Sequence, residues 1–569
     1  MKKIERIALL FCIGITIGCL TACGNNNEVV TGVNKIDDSV DLDNGEEKVD
    51  WDSLDTSNIE LNSKSLNITE GGVYTLSGSI NNGAVIVDTT EDIKLILDNV
   101  NIKNNNGPAI IIESANNAII ELVNGSNNIL EDGSSYDNTE YDGCIFSKDD
   151  LVLQGNGTLK VISNYLDGIV SNDDLKIVSG TYIIDSQDDG IRGKDSVYIV
   201  DGNITINSGA DGIKSTNDTD DTKGYVNIDN GNITINSVED GIQAETKLII
   251  NNGVFNIKTD DGSSSSLTAI DRYFYGASSY DDTSSKGLKS GDNLVIKNGT
   301  LNIDSKDDSI HSNNHVGISG GEISISSGDD GVHADSDIVI DNGKITISNS
   351  YEGIEASNIT INNGNINIIA QDDGVNISGG NDSSSVNGRP GQNNMSSSNG
   401  TLTINDGVVY VNAVGDGLDA NGSIVINGGK VLVDGPTDNG NGPLDYDKTF
   451  DINAGEFIAV GYSGMAQNAS DSSKQYSVMF NLSNTSSGKL SLVDSSGNTV
   501  FEYAPKKKYQ SVLISSKKID KGNKYSLVID GKEVDTITID SITNLSGYSY
   551  GMGIHGGKPS GGGYGPGRR

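Results

Sequence analysis

Carboxylates recur along this chain at a near-constant step, almost always beside a glycine and an aliphatic residue. The units read Gln187-Asp188-Asp189-Gly190-Ile191, Ala210-Asp211-Gly212-Ile213, Glu239-Asp240-Gly241-Ile242, Asp307-Asp308-Ser309-Ile310, Asp329-Asp330-Gly331-Val332, Tyr351-Glu352-Gly353-Ile354 and Asp372-Asp373-Gly374-Val375, with Asp260-Asp261-Gly262 counted in the series. The glycine positions of the series, 168, 190, 212, 241, 262, 287, 309, 331, 353 and 374, lie 21 to 29 residues apart, most often 22. Such a period marks a solenoid of stacked coils, in which equivalent residues sit about 4.8 Å apart. Two bare charges at that spacing repel by about 1 kcal/mol in water and about 3–4 kcal/mol at an effective dielectric near 20. A hard divalent cation relieves the repulsion. Clustered carboxylates and turn carbonyls suit Ca2+, which takes about six to eight oxygens in flexible geometry. The candidate metal ligands are Asp188, Asp189, Asp211, Asp240, Asp260, Asp261, Asp307, Asp308, Asp329, Asp330, Glu352, Asp372 and Asp373. In the competing reading, the aspartates cap corners by hydrogen bonds to their own backbone.

A second column stands two residues after each glycine position: Arg192, Lys214, Gln243, Lys289, His311, His333 and Glu355. The intervening Ile or Val points inward, so these side chains are expected to face outward beside the acids. As a strip of cation and imidazole, Arg192, Lys214, Lys289, His311 and His333 are candidate substrate-binding residues for an acidic polysaccharide bridged by Ca2+. Arg192 or Lys214 is also the candidate base of a lyase, which takes the C5 proton of a uronate while a cation steadies its carboxylate. The competing reading is charge complementarity between the two columns. His311 and His333, one coil apart, are placed to share a metal, though no thiol accompanies them.

The elements that must hold these residues are short strands. In one coil, Gly190-Ile191-Arg192, Val197-Tyr198-Ile199 and Ile204-Thr205-Ile206 are strands whose aliphatics alternate inward, leaving Tyr198 and Thr205 outside. Asn/Asp-Gly pairs such as Asp201-Gly202, Asn230-Gly231 and Asn342-Gly343 supply positive φ at the turns. Three strands in about 22 residues predict an all-β chain built as a parallel β-helix over residues 61–455. Residues 263–285, with Tyr273, Phe274 and Tyr275, and residues 379–400 interrupt the period as loops. Beyond 455 the step stops, and runs such as Tyr476–Phe480, Leu490–Val493 and Tyr525–Ile529 predict antiparallel strands of a small β-rich cap, 456–545. A Gly-rich tail, 546–569, follows.

The net charge of −40 and pI near 4.2 exclude a nucleic-acid partner, because such a surface repels phosphates. They favour cations, or polymers held by contact. At the N-terminus, Lys2, Lys3 and Arg6 precede an apolar run ending in Leu20-Thr21-Ala22-Cys23-Gly24, which resembles a bacterial lipobox. That resemblance implies a signal peptide over 1–22, lipidation of Cys23, export, and anchoring to the outer face of the cell membrane. Residues 23–60 are polar and acidic and predict a flexible tether. With Cys12 and Cys19 lost, Cys144 has no disulfide partner besides the anchor.

The lipobox, the Asp-Asp-Gly-Ile/Val units and the β-rich end together resemble the pectate-lyase-like β-helix carbohydrate-binding proteins of bacterial cell surfaces. The resemblance covers about residues 60–455. It implies a right-handed helix, Ca2+ at the acidic coil corners, and attachment to plant cell-wall polymers such as cellulose or pectin without established catalysis. Ser309 in place of glycine, and Ser285-Lys286-Gly287 without an acid, depart from the pattern. Three functions follow: a surface-anchored, Ca2+-stabilised, monomeric polysaccharide-binding protein; a Ca2+-dependent lyase of uronans; and a structural adhesin or spacer of the envelope.

Overall fold

The computed structural model describes residues 36–40, 49–62, 64–265, 284–378 and 399–547. The expected signal peptide, Cys23, most of the tether, most of both loops and nearly all of the tail lie outside the described residues. The chain is all-β, with no α-helix among the described residues and one large, mostly parallel sheet.

Most strands pair in parallel with the strand three places further on, so three ladders run side by side. The first ladder contains Ile191–Gly193, Ile213–Ser215 and Ile242–Ala244, the second Ser196–Ile199 and Tyr225–Ile228, the third Asn203–Ser208 and Asn232–Ser237. The register keeps like on like: Ile191 faces Ile213, Val197 faces Val226 and Ile204 faces Ile233. Third-ladder strands alternate exposed and buried along their length, as in Asn203–Ser208. Their inward positions stack Ile184, Ile206, Ile235, Ile257, Ile303, Ile325, Ile347 and Ile368 in one file, none more than 3% exposed. Each such side chain removed from water contributes up to about 1.5–3 kcal/mol. A file of identical branched side chains therefore fixes the register of every new strand, since a one-residue slip would expose it.

Glycine serves two different needs. Gly231 has φ 135°, which a turn requires and an L side chain resists. Gly190 needs space instead: a Cβ there would lie 2.4 Å from Ile206 Cγ2 and 2.6 Å from the Gly212 carbonyl oxygen. The corner is glycine because successive repeats touch there.

One assignment of the series changes. Ile242 pairs directly with Leu288, so residues 260–262 are not a repeat corner; they begin an excursion inserted between two neighbouring repeats. Asp260 at φ 47° and Gly262 at φ 73° turn the chain outward. The steps of 21 and 25 residues across Gly262 mimicked two repeats.

At the C-terminal end the parallel ladder stops at Glu456–Gly461, which pairs antiparallel with Tyr509–Ser516. Ser477–Ser486 joins the same large sheet, whereas Leu490–Asp494, Thr499–Tyr503, Lys524–Ile529 and Lys532–Thr538 form a separate antiparallel sheet. Ile458, Phe480, Leu492, Tyr509 and Leu527 belong to a second core shared by the two sheets. At the other end, Trp51–Ser53 forms a 3-10 turn and the first strand opens at Thr56, ahead of residue 61.

Candidate functional site

The turns that lead from the third ladder into the first bring the repeat acids into one column, as their step requires. Their carboxylates do not simply face one another. At six steps of the column an Oδ1 accepts from the main-chain N–H of the next acidic position; at Asp240 the donor is the N–H of Lys286. Asp189 N donates to Asp167 Oδ1 at 3.0 Å, Asp211 N to Asp189 Oδ1 at 3.0 Å, and Asp240 N to Asp211 Oδ1 at 2.8 Å. The pattern continues with Asp330 N to Asp308 Oδ1 at 2.9 Å, Glu352 N to Asp330 Oδ1 at 3.2 Å and Asp416 N to Asp373 Oδ1 at 2.6 Å. These are side-chain-to-backbone bonds of the capping kind, but they reach across to the following repeat rather than closing their own turn.

The other carboxylate oxygen meets the second column. Arg192 Nε donates to Asp167 Oδ2 at 2.7 Å and its other arm pairs with Asp142; Lys214 Nζ lies 2.6 Å from Asp211 Oδ2, and Lys289 Nζ 2.9 Å from Asp240 Oδ2. His311 Nδ1 lies 2.8 Å from Asp308 Oδ2, and His333 Nδ1 3.3 Å from Asp330 Oδ2. The column forms in the expected register, Arg192 beside Lys214, Lys289 beside His311 and His311 beside His333. Its side chains, expected to stand outward as a free strip, instead lean onto the acids. Alternation separates core from non-core faces but says nothing about tilt toward a neighbouring turn. His311 and His333 are buried and stack with ring centroids 4.9 Å apart.

Lys286, where the acidic unit is missing, explains its own departure. Its ammonium is fully buried, 2.7 Å from Asp307 Oδ2 and 3.0 Å from Asp308 Oδ2, so a cation of the chain itself sits between two repeats. Burial alone would raise Asp308, but the charge of Lys286 and the hydrogen bond with His311 hold it well below the usual carboxylate range.

The balance changes along the column. From Asp167 to Asp308, the acids Asp167, Asp189, Asp211, Asp240 and Asp308 are matched by Arg192, Lys214, Lys286 and Lys289. Burial still lifts Asp167 and Asp211 to about 7, while the same contacts raise Arg192 and Lys214, which stay charged. From Asp330 onward the second column reads His333, Glu355, Asn376, Asp419 and Asp445. Among the described residues, no Lys or Arg is ion-paired to Asp330, Glu352, Glu355, Asp373, Asp416, Asp419 or Asp445. Burial, with like charges adding to it, pushes Glu352 and Asp373 well up, Asp416 to about 6 and Asp419 to about 8.

Asp373, Asp416 and Asp419 offer carboxylate oxygens all within 4.8 Å of one another, as do Asp330 and Glu355 with His333. Asn376 stands between these groups. Its Nδ2 donates back to Glu352 Oε2 at 2.8 Å and Glu355 Oε1 at 3.4 Å, while its buried Oδ1 has no partner among the described residues. In the next repeat Asp419 is the register neighbour of Asn376. The three converging carboxylates of Asp373, Asp416 and Asp419 are donors of the kind a hard cation takes. Asp167 with Asp188 and Asp189, and Asp307 with Asp308 and Asp329, also converge, although cations of the chain reach both groups. Asp372 is half-buried beside Asp373. Asp260 is ion-paired to Lys306 at 2.5 Å and Asp261 is exposed, both outside the column.

Several residues of this corner were not singled out by the sequence. Asp416 and Asp419 continue the columns in Gly415-Asp416-Gly417-Leu418-Asp419, a unit displaced from the series by the insertion after residue 378. A separate cluster of Asp150, Asp173 and Asp174 lies where the first ladder turns into the second. Burial and neighbouring carboxylates raise Asp173 to about 7 and Asp174 to about 6. The repeated Asp-Asp pairs at 149–150 and 173–174 were its signal, unread because no Gly-Ile follows them.

The profile of the carbohydrate-binding domain-containing proteins matches residues 62–331 and 329–489. A protein of that description from Acetivibrio thermocellus is 37% identical over 190 residues, covering 32% of this chain and 65% of the relative, so the chain spans just under two thirds of that relative's length. A solved structure described as the polysaccharide lyase-like protein from C. thermocellum, a gadolinium derivative, is similar at 32% identity with a TM-score of 0.35, over 45% of this chain and 91% of that one. Through residues 62–489, the ladders and the acidic corner included, this chain belongs to the family of carbohydrate-binding domain-containing proteins.

Proposed function

We propose that the protein is a surface-anchored, Ca2+-stabilised polysaccharide-binding protein that holds plant cell-wall type polymers, such as cellulose or pectin, without cleaving them. In this reading the three ladders are the faces of a right-handed parallel β-helix of about 22 residues per coil, closed by the C-terminal sheets and tethered as a monomer through a lipidated Cys23 on the outer face of the membrane. The observation that carries the metal half is the stretch of corner from Asp330 to Asp445, which no Lys or Arg among the described residues balances and where Asp373, Asp416 and Asp419 converge. Ca2+ there would supply positive charge to a half-buried donor set, as Lys286 does at Asp307 and Asp308. Family membership supports the polysaccharide half.

The lyase alternative needs a base that gives up its proton. Arg192 and Lys214 are both locked to buried aspartates, and those contacts raise their proton affinity, which favours binding over β-elimination. The spacer alternative needs no polymer at all. Pull-down on insoluble cellulose and pectin, with Ca2+ or with a chelator, separates the three. Retention without unsaturated product supports binding; ultraviolet-absorbing uronides would establish a lyase, and no retention on any polymer leaves the spacer.

A further inference from the structure

The outward face of the second ladder carries a buried apolar strip that is not part of the core. Ile249, Val295 and Gly317 are register neighbours in three successive repeats, each between two inward residues such as Leu248 and Ile250. Ile249 is 1% and Val295 6% exposed, yet neither joins the main hydrophobic cluster. Part of the cover over this strip is the chain's own segment 36–40, which forms no strand. A Cβ on Gly317 would meet Ile36 Cδ1 at 3.2 Å and Val295 Cγ2 at 3.8 Å, which places the Ile36 side chain on the strip.

Side chains of the ladder hold that segment. Lys247 Nζ lies 2.7 Å from Asp37 Oδ2 and donates to the Ser39 carbonyl at 2.9 Å, Asn293 Nδ2 donates to the Asp37 carbonyl at 3.1 Å, and Lys297 Nζ lies 2.9 Å from Asp38 Oδ2. The Lys247 bond, aided by Ser39, holds the Asp37 carboxyl well below the usual range. Over an apolar floor, two lysines thus grip two adjacent carboxylates while an amide holds the main chain between them.

We infer that this face is a binding site for a carboxylated polysaccharide, and that Ile36–Val40 occupies it as an intramolecular stand-in that the polymer must displace. The inference rests on the polysaccharide-binding reading above and adds a location and a ligand chemistry. The lysines pair with uronate carboxylates, Asn293 with hydroxyls or ring oxygens, and Ile249 and Val295 with the C–H faces of sugar rings. The basic strip first expected for this role is committed to the acidic corner. Lys247 and Lys297 instead hold carboxylates that can be exchanged. A segment occupying the site nine-tenths of the time would weaken apparent binding about tenfold.

The test titrates the full chain with oligogalacturonate in chelator at about 0.15 M salt, which removes Ca2+ bridging and keeps screening constant. Asp37→Asn/Asp38→Asn is expected to bind about tenfold more tightly than the wild type, and adding Lys247→Gln and Lys297→Gln is expected to abolish the gain. Hydrogen exchange of amides 36–40 is expected to quicken when oligogalacturonate is added to the wild type. Equal affinity of wild type and double variant, or no change in exchange at saturating ligand, overturns the inference. Retention on cellulose with no effect of these variants sinks the inference alone, whereas failure to retain any polymer sinks the polysaccharide reading as well. Unchanged thermal midpoints of the variants show that the ladders are intact.

Discussion

Two stretches of one acidic corner solve the same electrostatic problem differently. Between Asp167 and Asp308 the chain supplies its own cations, from Arg192 at the rim to the fully buried Lys286. Between Asp330 and Asp445 the backbone arrangement and the Oδ1-to-N–H bonds persist, but the second column turns from lysine to imidazole, then to Glu355, Asn376 and Asp419. The main-chain contacts that build the corner are thus indifferent to how its charge is balanced. The first stretch carries fixed counter-charges; the second depends on protons or an added cation.

The largest effect is expected where a fixed cation is removed. Lys286→Met leaves the buried Asp308, beside the half-buried Asp307, without its ammonium, and breaking such a buried pair costs about 3–5 kcal/mol. Urea midpoints in chelator should fall accordingly, and Ca2+ should recover part of the loss by entering the vacated position. A loss below about 1 kcal/mol would mean that Lys286 is not the counter-ion of this half.

Chelation is expected to act on the other half. Ca2+ at about 100 times its dissociation constant stabilises by about 2.7 kcal/mol. Calorimetry should show that gain in the wild type and little of it in Asp419→Asn or Asp373→Asn. If Asp189→Asn abolishes it instead, the two halves have been assigned the wrong way round.

Acid and alkali should also divide the molecule. Asp419, at about 8, holds its proton more tightly folded than unfolded, where a carboxyl titrates near about 3.9. Its contribution is therefore full below about pH 4 and falls as pH rises toward 8. Asp308 has the opposite sign: its contribution is present above about pH 4 and lost in acid. Thermal midpoints in chelator should decline between about pH 5 and 8, less steeply in Asp419→Asn, and Ca2+ should remove the decline. A chelated wild type that gains stability across that interval would contradict the uncompensated corner.

The smallest effect calibrates the others. Lys344 and Glu322 pair at 2.6 Å but are more than half exposed, so Lys344→Ala should shift stability by less than about 0.5 kcal/mol.

The inward file from Ile184 to Ile368 was legible because alternation and the 22-residue step report the same physical fact, that branched side chains stack on their own kind. Chemistry at the corner was legible only as to which residues share a column. The partner of each carboxylate oxygen was not, because the N–H bonds run between repeats and the second column's tilt leaves no periodic trace. The insertions after Thr259 and Ser378 deceived the count in opposite ways, admitting Asp260 and Asp261 and hiding Asp416 and Asp419. Asp37 and Asp38 look like ordinary acids of a polar tether until Lys247 and Lys297, more than two hundred residues away in sequence, are seen to hold them.

Where a corner Oδ1 reaches the next repeat, it reads a peptide N–H, a group that every residue except proline carries. Adjacent units therefore need not match in side-chain identity to dock. A whole repeat can be duplicated or excised within the array while both new neighbours find the same acceptor and donor. Length becomes an evolvable quantity, and the charge of any single unit can drift without unravelling those beside it.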